Sequence, residues 1–95
     1  MAFIDDVKSA LRIDGSGFDA EVSDMIAGCK KDLDLAGVDP DKLDESDAFY
    51  KRTTITYARA NFDYDKDAQA GFQEAYDSMK VQMASAARYR KDVVV

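Results

Sequence analysis

Histidine is absent from this chain of 95 residues, cysteine and proline occur once each, and glycine occurs five times. Without histidine, the commonest general base near neutral pH and the commonest metal ligand are both missing. The single cysteine, Cys29, precludes an intrachain disulfide. With no histidine beside it, a structural zinc site of the usual kind cannot be built. No phosphate-binding glycine loop of the Walker or Rossmann type is present. No apolar run approaches the ~18–20 residues of a membrane span. The start, Met1-Ala2-Phe3-Ile4-Asp5-Asp6, lacks the basic residues and apolar stretch of a signal peptide. These absences point to a soluble protein made in a cytoplasm, with no catalytic residues, no metal and no cofactor. A chain so poor in breakers also favours long helices over many short strands.

What the chain does have is charge and helical periodicity. Charged residues make up 34%, against about 25% in ordinary domains, which suits a single small domain with much solvated or partner-facing surface. The net charge of −6 is unevenly placed. Residues 1–49 hold thirteen acids and five bases, net −8, and residues 50–95 hold six acids and eight bases, net +2. An acidic surface repels the DNA backbone, which argues against sequence reading. Such repulsion is useful where DNA must slide past without sticking.

Four helical patterns follow one another. In the first, about 2–11, Phe3, Ile4, Val7, Ala10 and Leu11 share a face, and Asp14-Gly15-Ser16-Gly17 breaks it. In the second, about 19–36, Val22, Met25, Ile26, Cys29, Leu33 and Ala36 form one stripe, with Gly37 placed for a left-handed cap. A turn around Pro40 follows, with room for one short helical turn. The third pattern, about 46–62, is apolar on nearly opposite sides: Phe49, Tyr50, Thr53, Tyr57 and Ala60 against Ile55, Ala58 and Phe62. Its charge is confined to a strip of Arg52, Arg59 and Asp63, so it should be the element the others enclose. In the fourth, about 67–87, Ala68, Phe72, Ala75, Tyr76, Met79, Met83, Ala86 and Ala87 form the stripe, and Val81 stands alone on the polar face. The fold class expected is all-α, a small bundle of about four helices with a largely buried third helix and an extended C-terminal tail.

Each candidate constellation has a bland counterpart. Cys29 lies inside an apolar stripe and reads as a small buried hydrophobe, since activation of a thiol needs a basic neighbour and exposure. Asp63, Asp65 and Asp67 fit positions 1, 3 and 5 of a calcium loop closing at Glu74. That loop needs glycine at position 6, where Ala68 stands, so the aspartates read better as caps of the fourth helix. The acids from Asp39 to Asp47 read as a solvated loop, since nothing suggests an apolar pocket that would raise one carboxylate. Arg52 and Arg59 fit equally two uses: pairing with an acid of this chain, Asp63 being nearest, or with acids of a neighbouring subunit. In residues 88–95, Arg88, Tyr89, Arg90 and Lys91 precede Val93, Val94 and Val95. A terminus of this kind either frays or orders on a partner by adding a strand or filling a groove.

Four stretches carry a resemblance: Val7-Lys8-Ser9-Ala10-Leu11-Arg12-Ile13, Asp32-Leu33-Asp34-Leu35-Ala36-Gly37-Val38, Tyr57-Ala58-Arg59-Ala60-Asn61-Phe62, and Phe72-Gln73-Glu74-Ala75-Tyr76-Asp77-Ser78-Met79-Lys80. In order and spacing they resemble the phage head–tail connector, or DNA-packaging adaptor, proteins of long-tailed bacteriophages. The resemblance covers roughly residues 3–86. It implies a virion protein of the head–tail interface with a helical connector domain, taken as 1–87, and leaves the tail at 88–95 outside the resemblance. It further implies a homo-oligomeric ring below the portal protein that extends the DNA channel and docks a head-completion (stopper) or tail protein. On that reading Arg52, Arg59 and Val81 are subunit-interface candidates, and Arg88, Tyr89, Arg90, Lys91, Val93, Val94 and Val95 are portal or partner contacts. A ring needs two different complementary patches per subunit, which the acidic and basic halves could supply. The competing reading is a small acidic regulatory or DNA-mimic binding protein, monomeric or dimeric. It would array its acids along one face, whereas here they cluster at helix starts and turns.

Overall fold

The computed structural model describes residues 3–62 and 66–91, with the backbone only at 66 and 67. Among these residues are four α-helices, α1 (Phe3–Ala10), α2 (Asp19–Ala36), α3 (Ala48–Asn61) and α4 (Lys66–Ser85), and a 3-10 turn at Pro40–Lys42. The described residues hold no strand, only an isolated antiparallel bridge between Val38 and Arg90. The chain is therefore all-α, as its periodicity predicts.

The helix ends follow local chemistry. Both α1 and α2 stop in the same doubly bonded left-handed turn. At α2, Val38 N donates to Leu33 O at 2.9 Å and Gly37 N to Asp34 O at 3.1 Å, with Gly37 at φ 109°. At α1, Ile13 N donates to Lys8 O and Arg12 N to Ser9 O, with Arg12 at φ 59° in the left-handed position. Glycine enters that region freely, whereas an L side chain there costs roughly 1–2 kcal/mol. The start of α3 is set by Asp47, whose Oδ1 accepts from Phe49 N at 2.9 Å and Tyr50 N at 3.5 Å. Ser46, expected inside the helix, is instead bonded through both its N and Oγ to Asp44.

The third helix is the central element, packed against α1, α2 and α4. Phe3 of α1 stacks on Tyr50 at 5.2 Å, Cys29 of α2 faces Thr54, and Tyr76 of α4 meets Tyr57 edge-on at 5.0 Å. Tyr50, Thr53, Thr54, Thr56 and Ala58 are buried. Three buried hydroxyls in one helix would be costly if left unpaired. Each instead donates to the carbonyl four residues earlier: Thr53 to Phe49 at 2.8 Å, Thr54 to Tyr50 at 3.0 Å, Thr56 to Arg52 at 2.8 Å. Gly28 lets α2 come close here, since a β-carbon would stand 2.9 Å from the Tyr57 hydroxyl.

The outer stripes are narrower than the periodicity suggests. Ala36, Ala75 and Ala87, assigned to apolar stripes, are exposed, while Tyr76 and Met83 are the fully covered residues of the fourth stripe. The reason is position: α4 packs mainly on α3 and only lightly on α2, so one seam is covered and its flanks are not.

Two expectations follow. Cys29 is fully buried, and burial pushes its thiol up to about 12. A thiol reagent at pH 8 should label it only after denaturant unfolds the chain; rapid labelling of native protein would refute this packing. Asp47→Ala removes a cap worth about 1 kcal/mol and strips the Tyr89 hydroxyl of its acceptor, a further ~1 kcal/mol. For a domain of this size that lowers the melting temperature by roughly 8–16 °C, measurable by calorimetry.

Candidate assembly surfaces

The first half of the final segment packs on the bundle. Ala86 N donates to Gln82 O and Met83 O, and Arg90 N to Ala86 O, so the chain turns back after α4. Tyr89 is buried, its ring stacked near Phe49 at 6.2 Å, and its hydroxyl donates to Asp47 Oδ2 at 2.6 Å. Asp39 N donates to Tyr89 O and Lys91 N to Gly37 O, while Lys42 Nζ donates to Arg90 O. Arg88 lies against the Tyr89 ring and is 3.5 Å from Asp47. Of the partner-contact candidates, Arg88, Arg90 and Lys91 are exposed and Tyr89 is enclosed by this chain. Val93, Val94 and Val95 lie outside the described residues.

Much of the charge asymmetry is used within the chain. Acids of the first half meet bases of the second: Asp6 with Lys51 at 2.8 Å, Asp32 with Lys80 at 3.3 Å, Asp34 with Lys91 at 2.6 Å, and Asp47 with Arg88. Asp32 also accepts from the Tyr76 hydroxyl at 2.5 Å; burial and this carboxylate both push that phenol well above its ordinary range. Asp39, Asp44 and Asp47 each accept from backbone N–H groups at a turn or helix start, so these three members of the acidic run serve as caps.

The arginine strip divides. Arg52 is exposed, with no side-chain partner among the described residues. Arg59 is half-buried: its guanidinium donates to Ala10 O at 3.2 Å, at the end of α1, and lies 5.6 Å from the centre of the Phe72 ring. A cation is well placed there, against the carbonyl end of a helix and an aromatic face. Asp63, the other partner considered for it, lies outside the described residues, as do the Asp65 and Asp67 side chains of the calcium pattern. Val81 is 62% exposed on α4, and two further apolar side chains, Leu35 and Phe18, are 75% and 47% exposed.

Arg59 also borders a groove of about 670 Å³ between the end of α1, the loop after it, and the facing ends of α3 and α4. Leu11, Ile13, Phe18, Phe62 and Phe72 give it apolar walls, and Arg12 and Arg59 bring cations to it. The loop that forms one wall is held by Lys8, whose Nζ lies 2.5 Å from both Gly15 O and Asp19 Oδ1. The periodicity did not reveal this groove. Phe18 falls between two helices and belongs to no stripe, and no glycine marks the left-handed turn at Arg12.

Among the described residues no group of three or more potential metal-ligating side chains converges, and no helix is long and apolar enough to cross a membrane. The perturbed carboxylates are structural. A hydrogen bond from Lys51 lowers Asp6, one from Lys91 lowers Asp34, and the Ser46 backbone lowers Asp44. At Asp47 burial raises the pKa, but Tyr89, the Phe49 and Tyr50 amides and Arg88 together bring it below the ordinary value. Carboxyls lowered on folding stabilise the fold above their unfolded pKa and lose that contribution as pH falls through the folded value. The melting temperature should therefore hold from neutral pH to about 5 and fall progressively below about 4; a flat profile down to pH 2 would contradict these pairings.

No curated protein and no solved structure matches the chain. One protein family does, described as phage connector protein, and its match runs over residues 3–90. That span contains all four helices, the capped turns between them and the Tyr89 anchor, so the chain belongs to the phage connector protein family.

Proposed function

We propose that this chain is a head–tail connector that assembles as a ring below the portal protein, extends the DNA channel, and docks a head-completion or tail protein. Membership of the connector family over residues 3–90 carries the reading. The surface supports it. Arg52, Val81, Leu35 and Phe18 are exposed, and arginine with isolated apolar groups suits subunit contacts. The net charge of −6 suits a wall along which DNA moves without sequence-specific binding. The role is structural: the cysteine is buried and the perturbed carboxylates are explained by caps and ion pairs.

The DNA-mimic reading requires acids arrayed along one face and free to bind. Here Asp6, Asp32, Asp34 and Asp47 pair with this chain's own bases, and Asp39 and Asp44 cap turns, which weighs against it.

The two arginines of α3 separate assembly from folding. Arg52→Glu should leave the melting temperature within a degree or two and abolish rings seen by negative stain and native mass spectrometry in the presence of portal rings. Arg59→Glu should lower stability by about 1–3 kcal/mol, because it breaks a charged hydrogen bond to the end of α1. Undiminished rings with Arg52→Glu would remove Arg52 from the interface. A wild-type chain that stays monomeric beside portal rings would overturn the ring reading itself.

A further inference from the structure

The groove at the end of α1 and Lys91, the last described residue, lie at opposite ends of α2. We propose that the groove lined by Phe18, Phe72, Arg12 and Arg59 receives residues 92–95 of a second copy, making the head-to-tail contact of the oligomer. This rests on the ring reading above.

Geometry excludes the same contact within one chain. Lys91 is tied to the far end of α2, through Gly37 O and Asp34, while Phe18 immediately precedes its first residue. Eighteen helical residues separate the two ends, about 27 Å at 1.5 Å per residue. The third helix gives the same answer: Tyr89 is fastened to Asp47 at its start, and the groove is lined by Arg59 and Phe62 near its end. Residues 92–95, fully extended, span at most ~14 Å. They fall short of their own groove by a wide margin.

Chemistry matches the two partners. The segment Asp92-Val93-Val94-Val95 is one acid followed by three branched apolar residues, and the groove, lined by the cations Arg12 and Arg59 and the single acid Asp14, carries a net positive charge beside aromatic and aliphatic walls. Arg12 adds a second sign, because its left-handed backbone holds a cationic side chain where glycine would fit without strain. A groove at one end and its ligand at the other is a heterologous arrangement, which closes into a ring or runs on as a filament.

The test uses the full chain. A Phe18→Cys, Val94→Cys double variant, oxidised at assembly concentrations, should form a ladder of disulfide-linked multimers, because Cys29 is buried and does not compete. Deleting residues 92–95 should reduce oligomer abundance in native mass spectra at least tenfold while leaving the melting temperature unchanged. Arg12→Gly should raise the melting temperature yet weaken assembly. Full-strength rings after the deletion, or cross-links from position 94 only to the portal protein, would overturn the tail-in-groove contact and leave the ring reading standing. A disulfide ladder from a chain whose wild type never forms rings would support the contact and overturn the ring.

Discussion

A helix enclosed on three sides has to dispose of its polar groups within itself, and the rest of this fold depends on α3 doing so. Thr53, Thr54 and Thr56 return their hydroxyls to the carbonyls of the preceding turn, so α1, α2 and α4 can close over a surface that is polar in composition but satisfied in bonding. Its start is fixed by Asp47 and its exposed side is marked by Arg52. Near its last turn, Arg59 collects the end of α1 and a ring of α4. Helix, cap and cation together set the frame onto which the final segment docks.

The same carboxylate that caps α3 also holds Tyr89. One side chain thus joins the start of the central helix to the point where the chain turns back from α4. The family match also runs past the last helical residue to residue 90, and so takes in Tyr89. With the contacts of Lys91 to Gly37 and Asp34, the bond between Asp47 and Tyr89 fixes the last described residues at the far end of α2 from the aromatic groove. A fixed base at Lys91 and a groove at the other end of α2 make the two ends of the molecule chemically different.

The ion pairs bring a general lesson about charge asymmetry in sequence. A −8 half followed by a +2 half suggests two patches offered to neighbours. In the folded chain, acids of the first half lie 2.6–3.5 Å from bases of the second. Charges separated along a short chain are the ones best placed to meet when it folds back on itself. Four of the acids are thereby matched inside the molecule, while Arg52 and the apolar side chains of Leu35, Val81 and Phe18 stay exposed.

The sequence by itself determined the four helices, the left-handed cap at Gly37, the central place of α3 and the burial of Cys29. Each is set by residues within about four positions of one another, where periodicity and capping are local physical constraints. Only the tertiary structure decided that Tyr89 belongs to the core, that Arg59 serves α1, and that Phe18 and Arg12 frame a groove. Tyr89 meets Asp47 across 42 positions, Arg59 meets Ala10 across 49, and Lys91 meets Asp34 across 57. Contacts at such separations depend on how helices are stacked, and no local pattern of side chains encodes that stacking.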